Sequence, residues 1–132
     1  MRIEAYSYYN EQEILKLYSS VGWTAYTSSP EKLKKGFENS LLTLAAYNGD
    51  ELQGIIRVVG DGYTIVFIQD ILVSPTYQRQ GIGSALLQAI LDRYHDVRQI
   101  ELATDNTQKT KAFYRSMGFH EFSEYGCCAF MK

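Results

Sequence analysis

The sequence is poor in the residues that mark several common protein classes. It has 2 cysteines, Cys127 and Cys128, and they are neighbours. Adjacent cysteines do not easily close an unstrained disulfide, and there is no second pair to complete a metal site. A disulfide scaffold and a zinc module are excluded, and no metal is expected. Proline is equally scarce, at 2 of 132 residues, and 45% of the chain is hydrophobic against 21% charged, the makeup of an ordered globular protein. Long apolar runs are missing. Ile65 to Ile68 and Cys127 to Met131 fall far short of the ~20 residues of a membrane helix, and the first residues hold no apolar leader. The expectation is a soluble, cytoplasmic protein with no membrane partner. A basic excess is also lacking: 13 Lys and Arg face 15 Asp and Glu, a formal charge of -2. Binding nucleic acid through a broad face takes clustered cations. Lys32, Lys34 and Lys35 are interleaved with Glu31 and Glu38 and read as the solvated face of a short helix, so no nucleic-acid partner is expected.

What is present suits one domain, 1-132, large enough to bury roughly two-thirds of the surface its unfolded chain exposes. Arg2 to Tyr6 reads as a strand. Asn10 to Val21 has a helical apolar face at Ile14, Leu15, Leu17, Tyr18 and Val21, with Asn10 and Glu13 in capping-box spacing. Pro30, behind Ser29, opens a second helix. From Leu41 the period becomes that of strands, and Asn48-Gly49-Asp50 and Gly60-Asp61-Gly62 punctuate a three-strand meander ending at Val73. Ile82, Ala85, Leu86, Ala89 and Ile90 mark the strongest helix. A strand at Gln99 to Ala103, a helix at Thr107 to Met117 and one or two strands within Phe119 to Met131 complete the order. One β-α-β crossover among hairpins predicts an α/β (α+β) fold, a mixed, mostly antiparallel sheet with helices on both faces.

The chemistry is concentrated in Asp70-Ile71-Leu72-Val73-Ser74-Pro75-Thr76-Tyr77-Gln78-Arg79-Gln80-Gly81-Ile82-Gly83-Ser84. Gly81 and Gly83 stand at the start of a helix, where each costs roughly 1 kcal/mol relative to Ala if it lies within the helix. Two readings compete. Glycines there let an anion approach the free N-H groups and the positive end of the helix dipole; alternatively Gly81 ends the loop and Gly83 packs on a strand. A Walker A loop, G-x-x-x-x-G-K-S/T, occurs nowhere. A dinucleotide fingerprint fails because Leu86 replaces its third glycine.

The run Leu72-Val73-Ser74-Pro75 followed by Gln78-Arg79-Gln80-Gly81-Ile82-Gly83 resembles the acetyl-CoA-binding motif Q/R-x-x-G-x-G/A of the GNAT superfamily of N-acetyltransferases. Ala112-Phe113-Tyr114-Arg115-Ser116-Met117-Gly118-Phe119 resembles its late F-Y-x-x-x-G-F segment. With the element order, the resemblance covers nearly the whole chain. It implies an acetyl-CoA cofactor whose pyrophosphate lies on backbone N-H groups from Arg79 through Gln80, Gly81, Ile82 and Gly83 to Ser84, and whose pantetheine pairs with the backbone of Leu72 and Val73. A backbone N-H near Val73 would stabilise the oxyanion. Backbone contacts let an acidic protein take an anionic cofactor. The chain departs from the family where Thr107 replaces a frequent asparagine.

The implied reaction moves an acetyl group from the thioester to a primary amine of a small molecule. Peptide acetylation, or a non-catalytic acyl-CoA-binding module, are the alternatives. Tyr114 matches the position of the acid that protonates the thiolate, and could equally be a packing residue among 11 tyrosines. Asp70 is the candidate base, or else a sheet-edge or cap carboxylate. His95 and His120 read as structural. Trp23 and Tyr26 lie in the loop that commonly roofs the acceptor pocket in this family, or serve as packing anchors. A homodimer is compatible with these features.

Overall fold

The computed structural model describes residues 1–132 and builds one five-stranded sheet in the order β1-β2-β3-β4-β5. The strands are β1 (Arg2–Ala5), β2 (Leu42–Asn48), β3 (Glu51–Gly60), β4 (Ile65–Val73) and β5 (Gln99–Leu102). The first four are antiparallel neighbours. Only β4 and β5 run parallel, because the helical crossover joins them. The helices are α1 (Glu11–Ser20), the single turn α2 (Thr24–Thr27), α3 (Pro30–Glu38), α4 (Ile82–Arg93) and α5 (Gln108–Ser116). No helix is long and apolar enough to cross a membrane.

Local chemistry sets the boundaries. The Asn10 side chain accepts from Glu13 N-H at 3.3 Å and starts α1, but the reciprocal half of the capping box is relayed. Asn10 N-H donates to Tyr6 Oη at 3.1 Å, and that hydroxyl donates to Glu13 at 2.7 Å. Asp61 takes the N-H groups of Tyr63, Thr64 and Ile65 at 2.7 to 3.1 Å, so Tyr63 and Thr64 belong to the turn and β4 begins at Ile65.

The sheet carries two cores. α4 and α5 cover one face through Val58, Val66, Ile68, Leu86, Ile90 and Tyr114, while α1 and α3 cover the other through Ile14, Tyr18, Leu33, Phe37, Ile55 and Leu72. Between them lies a β-bulge. Arg57 pairs with Asp70 and Val58 with Ile68, leaving Gln69 as an extra residue on β4. It reverses the facing of β4: Val66 and Ile68 point to α4, as do Ile71 and Val73 beyond the bulge, which sends Asp70 and Leu72 toward α1.

The C-terminal region corrects the sequence expectation. No strand forms within Phe119 to Met131. Phe122–Tyr125 is a 3-10 turn fixed by reciprocal bonds between Glu121 and Glu124 and closed by Gly126 at φ 71°. Gly126 to Lys132 is exposed throughout.

Candidate active site

β4 outruns its parallel neighbour. Pairing with β5 spans Ile65 to Ile68 only, so beyond the bulge the β4 edge from Gln69 to Val73 is open. Neighbouring residues of a strand present their polar groups to opposite edges. Ser74 N-H donates to Gln53 O on the β3 side at 2.8 Å, which turns Val73 to the open edge, where its carbonyl accepts from Gln78 Nε2 at 3.1 Å. The Leu72 carbonyl lies against Gly54, 2.7 Å from where a Cβ would stand. Of the two residues expected to pair with pantetheine, Val73 offers its backbone to the edge and Leu72 faces β3.

The open edge leads to the start of α4. Arg79 has φ 66° and Gly81 φ 81°, both in the left-handed region, flanking Gln80. Such a sequence of conformations curls successive N-H groups into a concave anion receptor. No side chain caps α4, and the Ala85 N-H is the first of the helix to bond back, to Gly81 O at 3.0 Å. The N-H groups of Ile82, Gly83 and Ser84 thus remain available at the positive end of a helix. Space is also present: a Cβ on Gly81 would meet nothing within 4 Å. A Cβ on Gly83 would meet the Val73 and Phe113 side chains at 3.8 and 3.9 Å, ordinary contact, and the Gly83 N-H lies in the first turn of α4. These features fit a pyrophosphate followed by an extended amide-bearing arm.

Tyr114 is 9% exposed and belongs to the apolar cluster under α4. Phe113 and Phe119 meet its ring edge-on at 5.0 and 5.9 Å. Burial raises its pKa above the ordinary tyrosine value, and the Thr104 side chain beside the hydroxyl acts in the opposite sense. The hydroxyl therefore stays protonated at neutral pH. Thr107 is occupied as the cap of α5, accepting from Thr110 N-H at 3.3 Å.

Asp70 is buried and fully engaged. It is 1% exposed, and both oxygens are taken: Oδ2 by Tyr18 Oη at 2.7 Å and by Arg57 Nε and Nη2 at 2.8 and 2.7 Å, Oδ1 by Tyr26 Oη at 3.0 Å. The structure places Asp70, the candidate base, at the centre of a buried network of Arg57, Tyr18 and Tyr26.

That network extends to the two aromatic residues singled out in the sequence, Trp23 and Tyr26. Tyr26 accepts from Gln69 Nε2 at 3.1 Å and stacks on Trp23 with centroids 5.9 Å apart, while Tyr18 meets both rings edge-on. Trp23 and Tyr26 are thus coupled through Asp70 to the bulge where β4 opens. Trp23 remains 36% exposed at the rim. Sequence reasoning missed Arg57, Tyr18 and Gln69. A charged residue inside the apolar strand Leu52 to Val59 was a usable signal, because an arginine buried there needs an anionic partner. Of the histidines, His95 sits with Nδ1 3.0 Å from Asp92 O at the end of α4, and His120 faces Glu124 at 3.8 Å.

An antiparallel meander, a parallel strand paired with it only before the bulge, and an uncapped helix start at Gly81 place the site in a mixed α/β fold. Residues 39–121 match the family model of the acetyltransferase (GNAT) domain, and the chain belongs to that family. It is 31% identical over 119 residues to an uncharacterized N-acetyltransferase, ycf52, of Gracilaria tenuistipitata var. liui, covering 86% of this chain and 63% of that protein. The chain thus spans less than two-thirds of that relative's length. A GNAT-family acetyltransferase of Streptococcus pneumoniae TIGR4 superposes with TM-score 0.89 at 40% identity, covering 99% of this chain and 96% of the other. The PaiA N-acetyltransferase of Thermoplasma acidophilum, solved with coenzyme A, shares the fold at TM-score 0.75 and 18% identity, over 92% of this chain and 91% of its own.

Proposed function

We propose that this protein transfers an acetyl group from acetyl-CoA to the primary amine of a small molecule. The observation that carries the reading is the pair of open backbone sites joined by the Ser74 to Gln78 turn: the Val73 N-H on the free β4 edge and the N-H groups at the uncapped start of α4. It suits a ligand with amide groups at one end and a pyrophosphate at the other. The N-H groups from Arg79 to Ser84 would hold the phosphates, and Val73 would pair with the pantetheine arm. Gln78 braces the Val73 carbonyl, leaving its N-H to face the thioester oxygen as charge develops there.

In the reaction the amine nitrogen attacks the thioester carbonyl carbon, forming a C-N bond, and the C-S bond breaks as the tetrahedral adduct collapses. The departing thiolate, whose conjugate thiol has a pKa of ~8.5, takes the proton of Tyr114, and the phenolate regains one from solvent. The amine proton leaves to solvent or to a group of the acceptor, since Asp70 is committed to Arg57. Trp23, Tyr26 and Gln69 form the wall against which the acceptor lies. The stacked pair is held by a buried ion pair, a rigid surface better matched to a compact amine than to an extended peptide.

The test is loss of thioester absorbance in the presence of polyamines, aminoglycosides, amino acids and short peptides, alongside thermal shifts with acetyl-CoA and NAD. Amine-dependent turnover with a small acceptor, and a larger thermal shift with acetyl-CoA than with NAD, are expected. Turnover confined to peptides overturns the acceptor class. Binding without turnover on any amine makes the protein a non-catalytic acyl-CoA module, and a larger shift with NAD overturns the cofactor.

A further inference from the structure

A cavity of about 320 Å³ lies between α2, α3 and β3, with Tyr26, Ser29, Lys32, Gly36 and Arg57 among its lining residues. Its charge is of one sign. Lys32 and Arg57 supply cations, and no carboxylate lines it.

The Arg57 side chain is 6% exposed, and Asp70 occupies only part of its guanidinium. Nε and Nη2 hold Asp70, while Nη1 donates to Ser40 Oγ alone, at 3.2 Å. Each η nitrogen of a guanidinium carries two hydrogens, so one Nη1 N-H is left over. That nitrogen faces α3 at Gly36, where a Cβ would stand 3.2 Å from it. Glycine inside a helix is costly in backbone entropy; here it keeps the guanidinium edge uncovered. Lys32 takes part in no ion pair. Ser29 precedes α3 without capping it, so its hydroxyl is uncommitted, and the Glu31 and Lys32 N-H groups have no backbone partner.

We propose that this cavity holds a carboxylate of the acetyl acceptor, which makes the substrate an amine of the amino-acid type. The inference rests on the transfer reading above and names the class of amine. Three donors converge on the cavity: the spare Arg57 N-H, the Lys32 ammonium and the Ser29 hydroxyl. Asp70 already balances Arg57, so Lys32 leaves a single positive charge to offset. A carboxylate supplies one negative charge, whereas a phosphate monoester carries about two. A polyamine would bring a further cation against Lys32. Tyr26 lines the cavity and also stands in the wall with Trp23 and Gln69, so an acceptor anchored by its acid lays its remaining length along that wall.

The test pairs β-alanine, γ-aminobutyrate and ε-aminocaproate each with its own carboxamide, which keeps the amine and the length and removes the acid. Titrated without acetyl-CoA and followed by NMR, the acids should shift the Arg57 side-chain N-H signal and the backbone N-H signals of Glu31, Lys32 and Gly36. The carboxamides should not. In turnover, kcat/KM should favour acid over carboxamide by roughly tenfold or more, the worth of one charge-assisted hydrogen bond. Lys32→Glu reverses the charge of an exposed residue and should erase both preferences; Gly36→Ala, which sets a methyl against Nη1, should reduce them, chiefly through KM. Acids and carboxamides that act alike on these signals overturn the proposal, as does parental selectivity in a folded Lys32→Glu protein. A larger response to ethanolamine phosphate than to the acids overturns the carboxylate assignment. The binding arm involves no acetyl-CoA, so acid-selective shifts without turnover uphold the site and overturn the activity. Turnover of amines with no preference for the acid overturns the inference and leaves the activity standing.

Discussion

Tyr114 packs in the core, and the proposed chemistry gives its hydroxyl a second role. Its ring fills the core under α4, and the same burial holds its hydroxyl in the protonated form. Tyr114→Phe keeps the ring and deletes the donor. Turnover should fall roughly 10²- to 10⁴-fold, the usual contribution of a general acid, when thiolate departure limits the rate. Acetyl-CoA affinity by calorimetry should be nearly unchanged. The pH–rate profile of the parent should decline only above the ordinary tyrosine value of ~10, and the variant should lack that decline. A loss under about threefold with the alkaline limb intact would leave Tyr114 as a packing residue. Asp70 gives the opposite expectation. Asp70→Ala strands the Arg57 guanidinium, 6% exposed, and removing one partner of such a pair costs about 3–5 kcal/mol, measurable by urea unfolding. Stability within about 1 kcal/mol of the parent would contradict the anchor role, an amount surface ion pairs alone reach. Tyr114 was legible because its neighbours in sequence form a motif. The Asp70 network was not: its bonds join residues 13, 44 and 52 positions apart, and the facing of Asp70 depends on the bulge at Gln69.

At the scale of elements, two glycines do different work at one place. Gly81 supplies a left-handed residue at an uncapped helix start, so Gly81→Val strains the loop that presents the N-H groups. The cost should appear chiefly in acetyl-CoA affinity, with a smaller loss in melting temperature; calorimetry showing parental affinity in a folded Gly81→Val protein would refute the anion cradle. Gly54 acts through β3. A methyl there meets the Leu72 carbonyl at 2.7 Å and the Val73 backbone at 3.3 Å, so Gly54→Ala must shift β4 beside its open edge. Both stability and cofactor affinity should drop, read by thermal melts with and without acetyl-CoA. The meander and α4 were legible because turn residues and apolar period agree there. Gly54 was not, since a close backbone approach across a sheet leaves no local pattern. The last segment looked like a strand for a sound reason, its apolar run, but the reciprocal bonds of Glu121 and Glu124 and the left-handed Gly126 set a turn before it that the apolar pattern does not reveal.

For the whole molecule, the many tyrosines set the response to alkali. Burial raises the pKa of Tyr6, Tyr18, Tyr26 and Tyr114, with Glu13 reinforcing the shift at Tyr6 and Asp70 at Tyr18; Tyr47 is pushed up to about 12. A group whose pKa is higher in the folded state favours folding fully below its unfolded value, and that contribution disappears as pH rises through the folded one. The melting temperature should be insensitive to these groups from neutral pH to about 9 and fall steadily above about 10. Tyr18→Phe should flatten part of that fall in scanning calorimetry; an unchanged slope would remove Tyr18 from the account. The claim on which function rests is that acyl-CoA lies along the open β4 edge and the start of α4. Residue-resolved amide exchange with and without coenzyme A tests it most directly. Protection is expected at Val73 and from Arg79 to Ser84, with little change in α1 or in the turn at Asp61. Saturating coenzyme A that leaves those amides unprotected, or protects another surface instead, would contradict it.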